Sequence, residues 1–140
     1  MNARQRFGGR TGEIASPGIA ADFGGAVMTD LVLALHRSKR ARFADDPEVH
    51  ALYRRIVDER PDLVLDYARR MTGLVRRILA DGVARGAFGP RDLAATAGAI
   101  RDAVTVFVHP AHVEAAARVG LDQEAGLRTL MAILVDGLAA

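Results

Sequence analysis

From Ala26 onward the apolar residues recur at helical spacing, in segments closed by proline and glycine, and no stretch alternates like a half-buried strand. That pattern predicts an all-α fold, an antiparallel helical bundle. The first helix starts near Ala26, with Val27, Met28, Leu31, Val32 and Leu35 on one face. It runs into the basic stretch His36–Arg42, read as a solvated helix end where cations suit the dipole. Asp45-Asp46-Pro47-Glu48 announces the second helix with an acidic cap and a first-turn proline. Val49, Leu52, Tyr53, Ile56 and Val57 follow, and Pro61 ends or kinks the segment. The third helix is expected from about Asp62 to Arg85, with Val64, Tyr67, Met71, Leu74, Val75, Ile78, Leu79 and Val83 as its stripe. Gly86 is a natural left-handed stop. The fourth runs from near Pro90-Arg91-Asp92 to Pro110, a short one spans Ala111–Arg118, and the last begins after Asp122.

Residues 1–25 differ from the rest. They hold six of the 14 glycines and little periodicity, and are expected to be a flexible leader to a helical domain over 26–140. Gly8-Gly9-Arg10-Thr11-Gly12 lacks the spacing of a phosphate loop. The chain carries a net charge of +2, but its distribution matters more. Residues 1–42 hold seven Lys/Arg and three Asp/Glu, while residues 43–140 hold 12 basic and 14 acidic side chains. The body is slightly acidic, so it gives no support to a phosphate-binding surface. Cysteine is absent, which fits a reducing, cytoplasmic setting. No apolar run approaches the roughly 18 residues of a membrane span, and no signal peptide is visible.

The fourth helix is apolar nearly all round. Leu93, Ala97, Ile100, Val104 and Phe107 form one face, and Ala95, Ala99, Ala103 and Val106 lie on the other side. One side can meet the chain's own core, and the other needs a partner. Leu130, Ile133 and Leu134 give the last helix a similarly broad arc. A homodimer built from these two helices of each chain is expected, with the small residues allowing close approach.

Few residues could carry chemistry. Ser16 and Ser38 are the only serines, both outside the well-patterned body, so no nucleophile with a base is arguable and no enzyme is expected. Asp66, Asp81 and Asp102 fall on faces expected to be solvated. His109 and His112 are three apart, but Pro110 between them spoils the helical geometry of a shared metal, and neither a metal nor a cofactor is expected. Tyr53, Tyr67, Met71 and Phe107 either fill the core or border a pocket, with His109 as the nearby polar group.

Four stretches are similar to the C-terminal domain of the TetR/AcrR family. They are Asp46-Pro47-Glu48-Val49-His50 with Leu52-Tyr53; Glu59-Arg60-Pro61-Asp62-Leu63; Ile78–Phe88, followed by Asp92-Leu93; and Phe107-Val108-His109-Pro110 with the terminal Ile133–Leu138. The resemblance implies a domain that dimerises through its last two long helices around a largely apolar effector pocket. It also implies an N-terminal helix-turn-helix reading head, and none is found in the glycine-rich residues 1–25. The expected function is therefore effector binding and dimerisation in a TetR-like regulator, with no specific DNA binding by this chain alone. The alternative is a ligand-free helical interaction protein.

Overall fold

The computed structural model describes residues 17–140, with side chains from Gly24 onward. Six helices make up the described elements: α1 (Pro17–Asp45), α2 (Pro47–Glu59), α3 (Pro61–Ala84), α4 (Leu93–Val108), α5 (Pro110–Arg118) and α6 (Glu124–Leu138). They form the expected all-α bundle. Among the described residues there is no strand, only one backbone bridge between Phe88 and Ala139. No described helix is long and apolar enough to cross a membrane.

The punctuation read from the sequence has a direct structural meaning. Pro47, Pro61 and Pro110 each open a helix in its first turn, where the missing N–H costs nothing. Pro61 thus starts α3 and does not kink a continuous helix. Asp46 and Asp92 accept the backbone N–H of Val49 and Ala95, capping α2 and α4. Gly86 and Gly120 adopt φ of +76° and +70°. At each, paired backbone bonds close the helix end: Gly86 N–H to Val83 O with Ala87 N–H to Gly82 O, and Gly120 N–H to Ala117 O with Leu121 N–H to Ala116 O.

The start of α1 departs from expectation. The helix is already formed at Pro17, so the boundary placed at residue 25 falls inside it, and residues 1–16 lie outside the described ones. Gly24 and Gly25 mislead because they serve packing. Gly25 is buried where a side chain would overlap Val135 of α6, and Gly24 lies against the Phe88 ring.

Helix α1 touches each of the other five helices. Its Met28, Val32 and Leu33 join Val75 and Leu79 of α3, Ala97, Ile100 and Val104 of α4, and Leu127, Met131 and Leu138 of α6 in one core. Phe88 closes the bottom of this core, in the turn between α3 and α4. The end of α6 is clipped to the same turn by Gly89 N–H to Leu138 O and Ala140 N–H to Ala87 O. The Arg91 guanidinium adds bonds to the carbonyls of Gly89, Gly137 and Leu138, a cation at a helix C-terminus.

Gly82 makes room for Phe88, whose ring occupies the place of a Cβ. Phe88 is wholly buried and has nowhere to retreat. Gly82→Ala is expected to destabilise the fold by about 1–3 kcal/mol through overpacking, despite alanine's better helix propensity. Urea unfolding checks this, and unchanged or raised stability would contradict it.

Candidate ligand cavity

A cavity of about 410 Å³ opens between α1, α2, α3 and α4. That size lies within the usual range for small-molecule pockets. Leu31, Val32 and Leu35 of α1 form one wall, Tyr53, Ile56 and Val57 of α2 a second, and Leu63, Val64, Tyr67, Ala68, Met71 and Val75 of α3 a third. Helix α4 supplies Ile100, Arg101, Val104, Thr105 and Val108, and His109 and Pro110 follow. The inner end is made by Val32, Val75, Ile100 and Val104, all buried in the core. At the other end Leu63, Val64 and Tyr67 are exposed, which marks the mouth.

Of the expected pocket residues, Tyr53, Tyr67, Met71 and His109 line this cavity and Phe107 does not. Phe107 lies on the flank of α4 that packs against the core and faces Gly126 of α6. Its carbonyl accepts a 2.6 Å hydrogen bond from Nδ1 of the fully buried His36. The wall from α1 was not anticipated, although Leu31, Val32 and Leu35 were placed on its apolar face. His109 uses Nδ1 to accept the Ala111 N–H and so caps α5. Burial, aided by neighbouring His112 and Arg54, lowers its pKa, so the neutral ring keeps its proton on Nε2.

The basic stretch of α1 is solvated only in part, since His36 and Lys39 are buried while Arg37, Ser38 and Ala41 are exposed. Arg37 forms a two-pronged pair with Glu124, Arg40 donates to the Leu121 carbonyl, and His36 is buried. Lys39 is only 8% exposed. Its ammonium donates to the Tyr53 hydroxyl at 2.8 Å and lies 4.1 Å and 5.4 Å from the ring centres of Tyr53 and Tyr67. Burial lowers its pKa, and burial also raises that of Tyr53, which keeps the phenol protonated. The clue was available in the spacing, because Lys39 continues the stripe of Val32 and Leu35.

The residues expected at a dimer contact lie on α4 and α6. Ala95, Ala99 and Val106 are exposed in the single chain and Ala103 is half-buried. Ile133 is 63% exposed, while Leu130 and Leu134 pack partly against the core. Arg101 pairs with its neighbour Asp102 and donates to Thr72 of α3.

A family model described as "Tetracyclin repressor-like, C-terminal domain" matches residues 26–126. The chain belongs to that family. No curated protein and no solved structure matches the chain.

A second polar site sits where α1, α2 and α5 meet, and was not foreseen. Glu114 of α5 is buried and accepts hydrogen bonds from Arg118 and Arg54, with His50 Nε2 at 3.4 Å. His50 is buried against the Phe43 ring. The network is internally satisfied, so we read it as a structural tie between the three helices. The bonds from Arg118, then those from Arg54 and His50, hold the Glu114 carboxyl down to a pKa of about 2, against burial that opposes them. A depressed carboxyl stabilises the fold fully above its unfolded pKa of about 4.5. That contribution is lost as pH falls toward 2. Glu114→Gln is expected to cost roughly 1–3 kcal/mol at neutral pH, toward the lower end because both arginines reach solvent. It should also flatten the acid dependence of stability between about pH 4.5 and pH 2. Thermal melts across that window check it, and an unchanged pH slope would contradict it.

Proposed function

We propose that this domain binds a small, mostly apolar effector and pairs with a second copy through α4 and α6, as the regulatory part of a TetR-like transcriptional regulator. The cavity carries this reading. A ligand-free interaction domain has no need for a space of about 410 Å³ between four helices, since unfilled apolar volume destabilises a core. Its apolar walls with a few polar groups suit a small organic molecule. A role in the cytoplasm, without catalysis, goes with such a regulator.

The dimer rests on the surface that α4 and α6 leave uncovered. Ala95, Ala99 and Val106 together with Ile133 leave apolar surface open in one chain. Small residues on α4 let a second backbone approach, giving a symmetric four-helix contact. This face is separate from the cavity mouth at Leu63, Val64 and Tyr67.

Two substitutions test the two halves separately. Met71→Trp should fill the cavity and abolish saturable binding of a neutral fluorescent probe such as N-phenyl-1-naphthylamine, while leaving the chain dimeric. Ala99→Glu should convert the dimer to a folded monomer in light scattering, because Ala99 is exposed in the single chain and its replacement buries a charge only across the contact. A monomeric parent chain, or probe binding untouched by Met71→Trp, would contradict the proposal.

A further inference from the structure

We infer that the effector is an amphipathic organic acid, an apolar body bearing one carboxylate, and that Lys39, which touches the wall residues Tyr53 and Tyr67, receives the carboxylate. This deepens the proposed function and rests on the cavity being the effector site.

Buried charges are ordinarily paired. Lys39 is 8% exposed, yet it makes no ion pair with a carboxylate among the described residues. Its polar partner is the Tyr53 hydroxyl, which occupies one of its three donors. The other neighbours named by geometry are the faces of Tyr53 and Tyr67, both walls of the cavity. Arg42 lies over Tyr53 as well, at 5.5 Å from the ring centre, which adds positive charge. An arriving carboxylate would supply the counter-charge that the fold leaves out, with charge-assisted hydrogen bonds in a partly dry setting.

The cavity has the matching polarity along its length. Its inner end, at Val75 and Ile100, is apolar and buried. On α1 the wall residues Val32 and Leu35 share a helix face with Lys39, which is not itself a wall residue but lies against the rings of the wall residues Tyr53 and Tyr67. The exposed Tyr67 lies on the outer side. An acid would therefore enter tail first and stop with its headgroup at Lys39. A cationic amphiphile would meet repulsion there, and a neutral one would leave the ammonium as poorly compensated as before.

Calorimetric titration of the full chain with decanoate, decanol and decylamine tests this. Decanoate is expected to bind at least about tenfold more tightly than decanol, with decylamine weakest. Lys39→Met, close in shape but uncharged, should erase the preference for decanoate while decanol still binds, and Lys39→Arg should retain it. Equal binding of decanoate and decanol by the parent chain would overturn the acid assignment and leave the effector site standing. So would a preference that survives Lys39→Met. If none of the three binds, the cavity is not an effector site for such molecules, and the inference falls with that reading.

Discussion

Helix α1 is packed against all five other helices, and the rest of the structure depends on its burial. Such a helix would ordinarily be apolar all round. This one carries His36, Arg37, Lys39, Arg40 and Arg42 in its last third. Several of these find partners on neighbouring elements. Helix α4 supplies the Phe107 carbonyl for His36, α6 supplies Glu124 for Arg37, and the turn before α6 supplies the Leu121 carbonyl for Arg40. Lys39 receives aromatic faces and a hydroxyl in place of a carboxylate. The bundle is thereby held in register by directional bonds as well as by its core, and the buried Lys39, with no carboxylate partner among the described residues, stands against two wall residues of the apolar cavity.

The cavity itself follows from how α2 and α3 meet. Pro47 and Pro61 fix where each begins, and the single residue Arg60 joins them. The outer half of α3 leaves Leu63, Val64 and Tyr67 exposed, whereas its inner half buries Val75 and Leu79. The walls therefore converge toward α4 and part toward solvent. The inner end belongs to the same packed core that holds α1, α3 and α4 together. Helix α4 contributes one wall of the cavity and leaves Ala95, Ala99 and Val106 exposed on its surface.

Most of the helical frame was legible in the sequence because it is written in local chemistry. Asp46-Pro47, Arg60-Pro61, Asp92 and Gly86 act within a turn of where they stand, so their effect needs no knowledge of the fold. Tyr53, Tyr67 and Met71 were legible as pocket candidates because their helices present one apolar stripe each. Three features were not legible for a shared reason: their partners are far away in the chain. His36 depends on Phe107, Glu114 on His50 and Arg54, and Gly25 on Val135. A buried basic residue reads as a solvated one when only its neighbours in sequence are visible. Gly24 and Gly25 read as part of a flexible leader for the same reason, since the side chains beside them, Phe88 after α3 and Val135 on α6, are distant in sequence. Phe107 was misplaced because the broad apolar surface of α4 does not reveal which flank faces α6.

The central claim is that a small apolar molecule enters the space between α1, α2, α3 and α4. Methionine methyl groups report on it directly. Met71 lines the cavity, whereas Met28 and Met131 are fully buried in the packed core outside it. In a spectrum of the chain labelled at its methionine methyls, adding decanol should move the Met71 signal saturably and leave Met28 and Met131 nearly still. A Met71 signal that stays fixed while decanol binds, or movement confined to Met28 and Met131, would contradict the account.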